Sequence, residues 1–430
     1  LYPTDGRSIS RFDQGTKAFR RNQKQVEEAL RNLCRRFEGE IPQFSPRYIG
    51  HMFSEISLPA LLGHFTALLH NPNNISTEAA RVGAHIETEA ISELAKMLGF
   101  NPKKATGHFT SGGTVANIES LWRARYRMDH FLSLACYLNE KHQLGLSYVE
   151  AGQMGWTRFE QLIKKYRVRE SDLRNYSPIA ANPWQLADRF HKAFGHPYHG
   201  PVVLVPNSKH YSWMKAVSLL GLGEESFWPV LLDKDGILDL KDLKIKIQQA
   251  HRSDRPVLMI VSVAGTTELG ECDPVHHVQD LLDRYQEKMG LSFWHHVDAA
   301  YGGYFCSMLT KGKIPEFDKT MSDAFFGIRR VNSVTLDPHK LGYVPFSCGA
   351  LLVRDQVNNR VSAFDAKYIL SPNLAVDRWM KTLEGSRGAA GATATWMTAK
   401  TIGLQRSGYG SILKRTVITR QTLAQEIRRK

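Results

Sequence analysis

Between residues 201 and 353 the chain alternates short β-rich runs with longer helix-patterned stretches, and this alternation limits the fold more than any other feature of the sequence. The runs are Val202–Val205, Val257–Val263, Leu291–Val297, Ser333–Leu336 and Ala350–Val353, and helical patterns fill about 211–222, 239–251 and 274–289. A strand, a crossover helix and a second strand place the two strands parallel. The expected fold class is therefore α/β: a mostly parallel sheet flanked by helices on both faces. Only the gap before Ala350–Val353 lacks room for a crossover helix, so that strand is expected to run antiparallel. Ligands of such sheets sit beyond the carboxyl ends of the strands, and the search for chemistry starts there.

Upstream, residues 1–75 read as an N-terminal helical segment. A helix from about Thr77 spaces Val82, Ile86, Ala90, Leu94 and Leu98 one turn apart, with Asn74-Ile75-Ser76-Thr77 as caps and Gly99 as its stop. After a second helix over about 115–128, residues 129–198 are polar and helix-patterned without strand signals. They read as an insertion carried on the surface of a large domain spanning 76–385.

A chain of 430 residues with 42% hydrophobic content can bury a sizeable core without disulfides or metals. Its five cysteines, Cys34, Cys136, Cys272, Cys306 and Cys348, form no C-x-x-C pair, which points to reduced thiols in a cytoplasmic protein and to no zinc site. His295 and His296 are adjacent, so a strand would turn them to opposite faces. The opening Leu1-Tyr2-Pro3-Thr4-Asp5-Gly6-Arg7 is polar and reads as no signal peptide, and the longest apolar runs, such as Pro256 to Ala264, are too short to cross a bilayer. No membrane partner is expected. A net charge of +14 could draw nucleic acid or anionic substrates. The densest basic cluster, Lys164-Lys165-Tyr166-Arg167-Val168-Arg169, lies in the polar helical stretch without a nucleic-acid motif, so a solvated surface is the preferred reading.

Five strand or helix ends carry candidate chemistry. Asn332-Ser333-Val334-Thr335-Leu336-Asp337-Pro338-His339-Lys340 takes a strand into a Pro break and then presents an imidazole and an amine; Lys340 is either a reactive amine or a solvated loop residue. Trp294-His295-His296-Val297-Asp298-Ala299-Ala300 ends an apolar strand in an acid, followed by small residues. Asp298 is a helix N-cap, a structural acid bonded to backbone amides, or the partner of a protonated ring nitrogen. Thr110-Ser111-Gly112-Gly113-Thr114 opens a helix with free N–H groups and hydroxyls suited to phosphate, although a Gly-Gly turn there is common and no P-loop pattern is present. His210 follows the strand 202–205, where it can stack on an aromatic cofactor or remain an ordinary loop histidine. Gly265-Thr266-Thr267 adds hydroxyls at the same rim. Together, a lysine, a buried acid, a phosphate cradle, an imidazole and a hydroxyl describe a site for pyridoxal 5'-phosphate (PLP).

On Thr110-Ser-Gly-Gly-Thr-Val-Ala-Asn117, His296-Val-Asp-Ala-Ala-Tyr301 and Asp337-Pro-His-Lys340, the sequence resembles the group II PLP-dependent amino acid decarboxylases of aspartate aminotransferase fold type I. Within them it is similar to the tyrosine-decarboxylase-like branch, with glutamate decarboxylases as relatives, over about residues 50–125 and 200–410. The 42-residue separation of Asp298 and Lys340 is specific to the group. The resemblance implies that Lys340 bonds the cofactor, Asp298 pairs with its ring nitrogen and His210 stacks on the ring. Ser111, Gly112, Gly113, Thr114 and His339 would lie around the phosphate, and Thr267 and Ala300 would touch the ring. Asp337 stands where other group members carry an Asn that binds phosphate, and reads as a marker of the branch. The implied reaction is decarboxylation of an L-amino acid, tyrosine or another aromatic on one side, glutamate or aspartate on the other.

Tyr343 and Tyr368 are candidates to protonate the substrate carbon. Phe346 stands where the branch suggests Tyr; if neither Tyr343 nor Tyr368 reaches that carbon, protonation at the wrong carbon is expected, with transamination or an oxidative side reaction as the result. The resemblance further implies a homodimer and a small C-terminal domain, of which 386–430 would be the start of a truncated copy. Transamination, with Arg387 as a carboxylate clamp, and a non-catalytic basic relative that binds nucleic acid are the alternative readings.

Overall fold

The computed structural model describes residues 9–45, 47–52, 55–178, 180–359, 376–377 and 379–429. By its contacts the chain divides into two units, Leu1–Glu55 and Ile56–Lys430. Within the first, helices α1 (Arg11–Gly15) and α2 (Lys17–Phe37) are capped by Ser10 and Thr16, whose side chains accept from Asp13 and Phe19 N–H groups.

The second unit holds the sheet. Helices α3 (Leu58–His70) and α4 (Gly83–Met97) precede β1 (Thr106–Thr110). Helix α4 starts six residues later than its sequence pattern suggests, because the expected caps are used elsewhere. Asn74 Nδ2 donates to Glu87 at 3.0 Å and to the Gly83 carbonyl at 3.3 Å, while the Thr77 N–H and hydroxyl donate to Asp377 at 2.5 and 3.1 Å. Gly99, at φ 76°, lies just past its end, as expected.

Helix α5 (Gly113–His142) continues 14 residues beyond the expected end at 128, and α6 (Tyr148–Gly152), α7 (Gly155–Tyr166), α8 (Glu170–Leu173) and α9 (Pro183–Phe194) follow it. The 129–198 stretch is helical, as its composition suggested, but it is not a surface appendage. Phe131, Leu132, Leu134, Phe159, Leu186 and Phe190 share one buried cluster with Val203, Val205, Trp213 and Trp294. This stretch covers one face of the sheet; its polar residues occupy the outer sides of amphipathic helices.

The remaining elements are β2 (Val202–Pro206), α10 (Ser212–Leu219), β3 (Phe227–Val230), α11 (Leu240–Arg252), β4 (Val257–Val263), α12 (Val275–Met289), β5 (His295–Asp298), α13 (Lys319–Gly327), β6 (Ser333–Leu336), β7 (Gly349–Val353), α14 (Ala390–Thr401) and α15 (Tyr409–Arg429). The seven strands lie in the order β1-β7-β6-β5-β4-β2-β3. Pairs β2–β3, β2–β4, β4–β5 and β5–β6 are parallel, whereas β7 runs antiparallel to both β6 and β1. Every residue of β4 is buried, as a central parallel strand covered on both faces requires. The opposite face packs Ile91 and Leu94 of α4, and Leu98 just past its end, against Val297, Val334 and Leu352, with α14 and α15 alongside. Two strands lie outside the runs picked out in the sequence, β1 and β3. Both are sheet edges; β1 contains Gly107, and β3 contains Pro229, which only an edge tolerates. Among the described residues no helix is long and apolar enough to cross a membrane.

Candidate active site

Strand β5 ends on Asp298, 5% exposed, at the carboxyl edge of the parallel sheet. Its Oδ2 accepts from Asn117 Nδ2 at 2.7 Å and Trp213 Nε1 at 3.1 Å, while among the described residues Oδ1 accepts only the Ala300 N–H, at 3.3 Å. One carboxylate oxygen is thus fixed by two side-chain donors, and the other retains a lone pair for a further donor. Asn117 Nδ2 also donates to Ser212 Oγ at 3.0 Å, and Ser212 Oγ lies 2.9 Å from His210 Nδ1. Asp298, Asn117, Ser212 and His210 therefore form one polar chain across the ends of β5, α5 and β2. His210 is half-buried; burial lowers its pKa, with Asp298 acting in the opposite direction and Lys340 adding to the lowering.

Past β6, the turn at Pro338 brings Lys340 back onto Asp337. Lys340 Nζ lies 3.1 Å from Asp337 Oδ2, and His339 Nε2 is 3.5 Å from the same oxygen. His339 Nδ1 accepts the Cys348 N–H at 3.1 Å, and its ring centroid is 4.2 Å from that of Phe346. Burial, reinforced by the Lys340 charge, depresses His339 to about 4, so its contact with Asp337 is between a neutral ring and an acid. Burial pushes Asp337 up to about 6, with the Lys340 charge opposing.

The start of α5 meets these groups. A side chain on Gly113 would place its Cβ 2.9 and 3.2 Å from the two oxygens of Asp337 and 3.1 Å from Ala300 Cβ, so only glycine fits. Gly112 lies against the His339 ring, where a Cβ would be 3.7 Å away. Lys340, Asp298, His210, Gly112, Gly113, Ala300 and His339 are thus gathered around one edge of the sheet. Ser111 is exposed and its N–H donates to Glu384 at 3.2 Å; Thr114 is half-buried in the first turn. Thr267 lies exposed on the turn after Thr266, whose buried hydroxyl instead accepts the Glu271 N–H at 3.0 Å.

Tyr343 donates its N–H to the Lys340 carbonyl at 3.2 Å and packs its ring 6.1 Å from that of Tyr409. Tyr368 lies outside the described residues. Arg387 is committed elsewhere: buried, it pairs with Glu87 and donates to the carbonyls of Phe109 at 3.1 Å and Asn74 at 3.0 Å. Its guanidinium ties 387 to β1 and α4, which removes it as a substrate clamp.

Asn117, Ser212 and Trp213 escaped the sequence reading as site residues, although each stands inside a segment singled out there. The available signal was periodicity, since Asn117 follows Gly113 by four residues and shares its helix face.

The donor set fits PLP. A buried acid with a spare lone pair suits a protonated ring nitrogen, an amine stands beside it, and a helix start crowded enough to require glycine lies where N–H groups can meet a phosphate.

The sequence pattern of the pyridoxal-dependent decarboxylase conserved domain matches residues 190–430. An L-tyrosine decarboxylase of Levilactobacillus brevis is 30% identical over 440 residues, covering 95% of this chain and 67% of the relative. A probable L-tyrosine/L-aspartate decarboxylase of Methanothermobacter thermautotrophicus is 35% identical over 224 residues, 51% of this chain and 53% of that protein. Among solved structures, mouse CSAD superimposes with a TM-score of 0.65 at 23% identity, covering 91% of this chain and 66% of that one, a likeness of fold. The chain spans about two thirds of the length of the first and last of these. A domain match over more than half the residues, on a sheet whose edge gathers this donor set, places the chain in the pyridoxal-dependent decarboxylase family, with PLP as its cofactor.

Proposed function

We propose that the chain removes carbon dioxide from an L-amino acid, L-tyrosine in the first place and L-aspartate in the second, as part of a homodimer in the cytoplasm. The observation that carries this reading is the meeting of Lys340, Asp298, His210 and the start of α5 at one edge of the sheet. The names of the relatives support tyrosine, and one of them supports aspartate as the second reading.

Lys340 would hold the cofactor through its amine, and Asp298 would present Oδ1 to the ring nitrogen while Asn117 and Trp213 hold Oδ2. His210, oriented through Ser212, would stack on the ring. The N–H groups of Gly112 and Gly113 and the Thr114 hydroxyl would take the phosphate, with Ser111 and His339 beside them, and Ala300 and Thr267 would touch the ring. Bound there, the cofactor supplies an electron-poor conjugated ring that accepts the electron pair left as the carboxylate departs. A tyrosine hydroxyl, that of Tyr343 or Tyr368, returns a proton to the substrate carbon. With Arg387 spent on Glu87, the clamp that would favour transamination is lost.

The reading of 76–385 as the cofactor-binding domain, with 386–430 opening a smaller one, is part of the same proposal. The dimer is supported by α3, which buries Ala60, Gly63 and Ala67 but leaves Leu58, Leu62, Phe65, Leu68 and Leu69 exposed.

The test is an absorbance spectrum after addition of PLP, followed by carbon dioxide release from tyrosine, aspartate and glutamate. The expected result is a cofactor band that Lys340→Ala abolishes, with gas from tyrosine. A band without gas from any of these substrates would refute the decarboxylase reading, and no band in the wild type would refute the site.

A further inference from the structure

Asp337 has the geometry of a ligand rather than of a packing residue. It is 3% exposed. Oδ2 is engaged by Lys340 at 3.1 Å, but Oδ1 is buried with no hydrogen-bond partner among the described residues. That oxygen faces the start of α5, since a Cβ on Gly113 would stand 3.2 Å from it. On the other side of the same turn, the Ser111 N–H donates to Glu384 Oε2 at 3.2 Å. The helix start proposed to receive phosphate is therefore lined by two carboxyl groups.

We propose that Asp337 binds the phosphate of the cofactor as a hydrogen-bond donor, carrying a proton when the cofactor is loaded and none when it is absent at neutral pH. This rests on the reading of the α5 start as the phosphate site. A phosphate dianion and a carboxylate both offer only acceptors, so they repel and cannot share a hydrogen bond; a protonated carboxyl supplies the missing donor. The surroundings favour that proton. Lys340, which faces Asp337 with its charge, is the residue the cofactor engages. His339 is neutral above about pH 4 and offers no compensating cation. From β5, Asp298 adds negative charge, as Glu384 does at Ser111, and Tyr304 and Cys348, the other titratable groups facing Asp337, are held neutral by burial. The Gly113 N–H favours the charged form, but it is also a donor the phosphate would claim. Loading therefore takes up a proton, and affinity falls as pH rises.

Equilibrium dialysis of PLP against the wild-type chain and Asp337→Asn, from about pH 5.5 to about pH 8.5, tests this. Asn keeps the shape and always offers an N–H. The ratio of wild-type to variant Kd should rise roughly tenfold per pH unit above about pH 6, so the variant binds more tightly at high pH. A flat ratio overturns the proposal. Proton uptake gives a second readout: loading near pH 7.5 should take up about one proton more per site in the wild type than in Asp337→Asn, a difference from which the Lys340 and ring-nitrogen contributions cancel. Equal uptake by the two proteins, with normal loading, overturns the proposal and leaves the cofactor reading standing. Failure of both proteins to load at any pH overturns both.

Discussion

Replacing Asn117 by Ala asks whether Asp298 owes its position to a neighbour that does not itself touch the cofactor. Asn117 is 1% exposed and donates to Asp298 Oδ2 at 2.7 Å and to Ser212 Oγ at 3.0 Å, while its own Oδ1 is buried with no partner among the described residues. A hydrogen bond to a charged group is worth about 1.5–3 kcal/mol and the neutral one about 0.5–1.5 kcal/mol. Removal of the unpartnered oxygen returns about 1 kcal/mol or more, so the net loss is about 2 kcal/mol. Trp213 still holds Oδ2 at 3.1 Å, so Asp298 is loosened rather than released. For a chain of this size that loss lowers Tm by about 2 °C. If half or more of it is felt as misplacement of Asp298, PLP binds roughly tenfold more weakly. The assays are a thermal melt of the apo protein and a PLP titration by absorbance, with Ser212→Ala as the control that removes the weaker of the two Asn117 bonds together with the contact to His210. A lower Tm with unchanged affinity would refute the reasoning, because Asn117 would then serve packing alone. An equal loss of affinity in Ser212→Ala would refute it as well, because the effect would run through His210 rather than Asp298.

Glu119 is fully buried between His108 at 2.9 Å and Arg123, and these partners outweigh burial to hold it at about 2 instead of 4.5. A carboxyl depressed in the folded state contributes stability above pH 4.5 that is lost as pH falls toward 2, about 3 kcal/mol in all. Melts of Glu119→Gln should therefore lie well below the wild type at pH 7 and draw closer to it on acidification; a gap that stays constant would remove the ion pair as the cause. On α3, Leu62 and Phe65 are 52% and 53% exposed. The double change Leu62→Glu and Phe65→Glu should convert a dimer to a monomer in sedimentation velocity at an unchanged melting temperature of the isolated subunit. An unaffected dimer would place the interface elsewhere.

The strands legible in the sequence are those whose burial on both faces forces unbroken apolar runs: all of β2, β4 and β6 is buried. The two that escaped are edges, where one neighbour suffices and Gly107 or Pro229 can be accommodated. The 129–198 stretch misled for a related reason. Its apolar residues recur at helical spacing, so the average composition is polar although Phe131, Leu134 and Leu138 are completely buried. At the site, Lys340, Asp298 and the glycines were legible because each follows a strand or opens a helix, a place with its own residue signature. Asn117 was not, because what singles it out is a partner 181 residues away. Asp337 lay between these cases. Its identity was conspicuous in the sequence, but the unpartnered oxygen that gives it meaning is a property of packing alone.

The charge of the molecule and the charge of its site have opposite signs, and they act at different ranges. A net +14 spread over the surface raises the local concentration of an anionic cofactor and speeds its encounter. That field is screened over about 8–10 Å at physiological ionic strength, so it cannot offset a buried charge at contact distance. Within the site, Asp298, Asp337 and Glu384 surround a single lysine and an imidazole held neutral. An anion drawn in by the surface thus meets carboxyl groups at the place where it must bind. Raising the salt concentration should accordingly slow cofactor association in the wild type and in Asp337→Asn alike, whereas only the pH dependence of the final affinity should separate the two proteins. Long-range attraction governs how fast the cofactor arrives, and a proton on a buried carboxyl governs whether it stays.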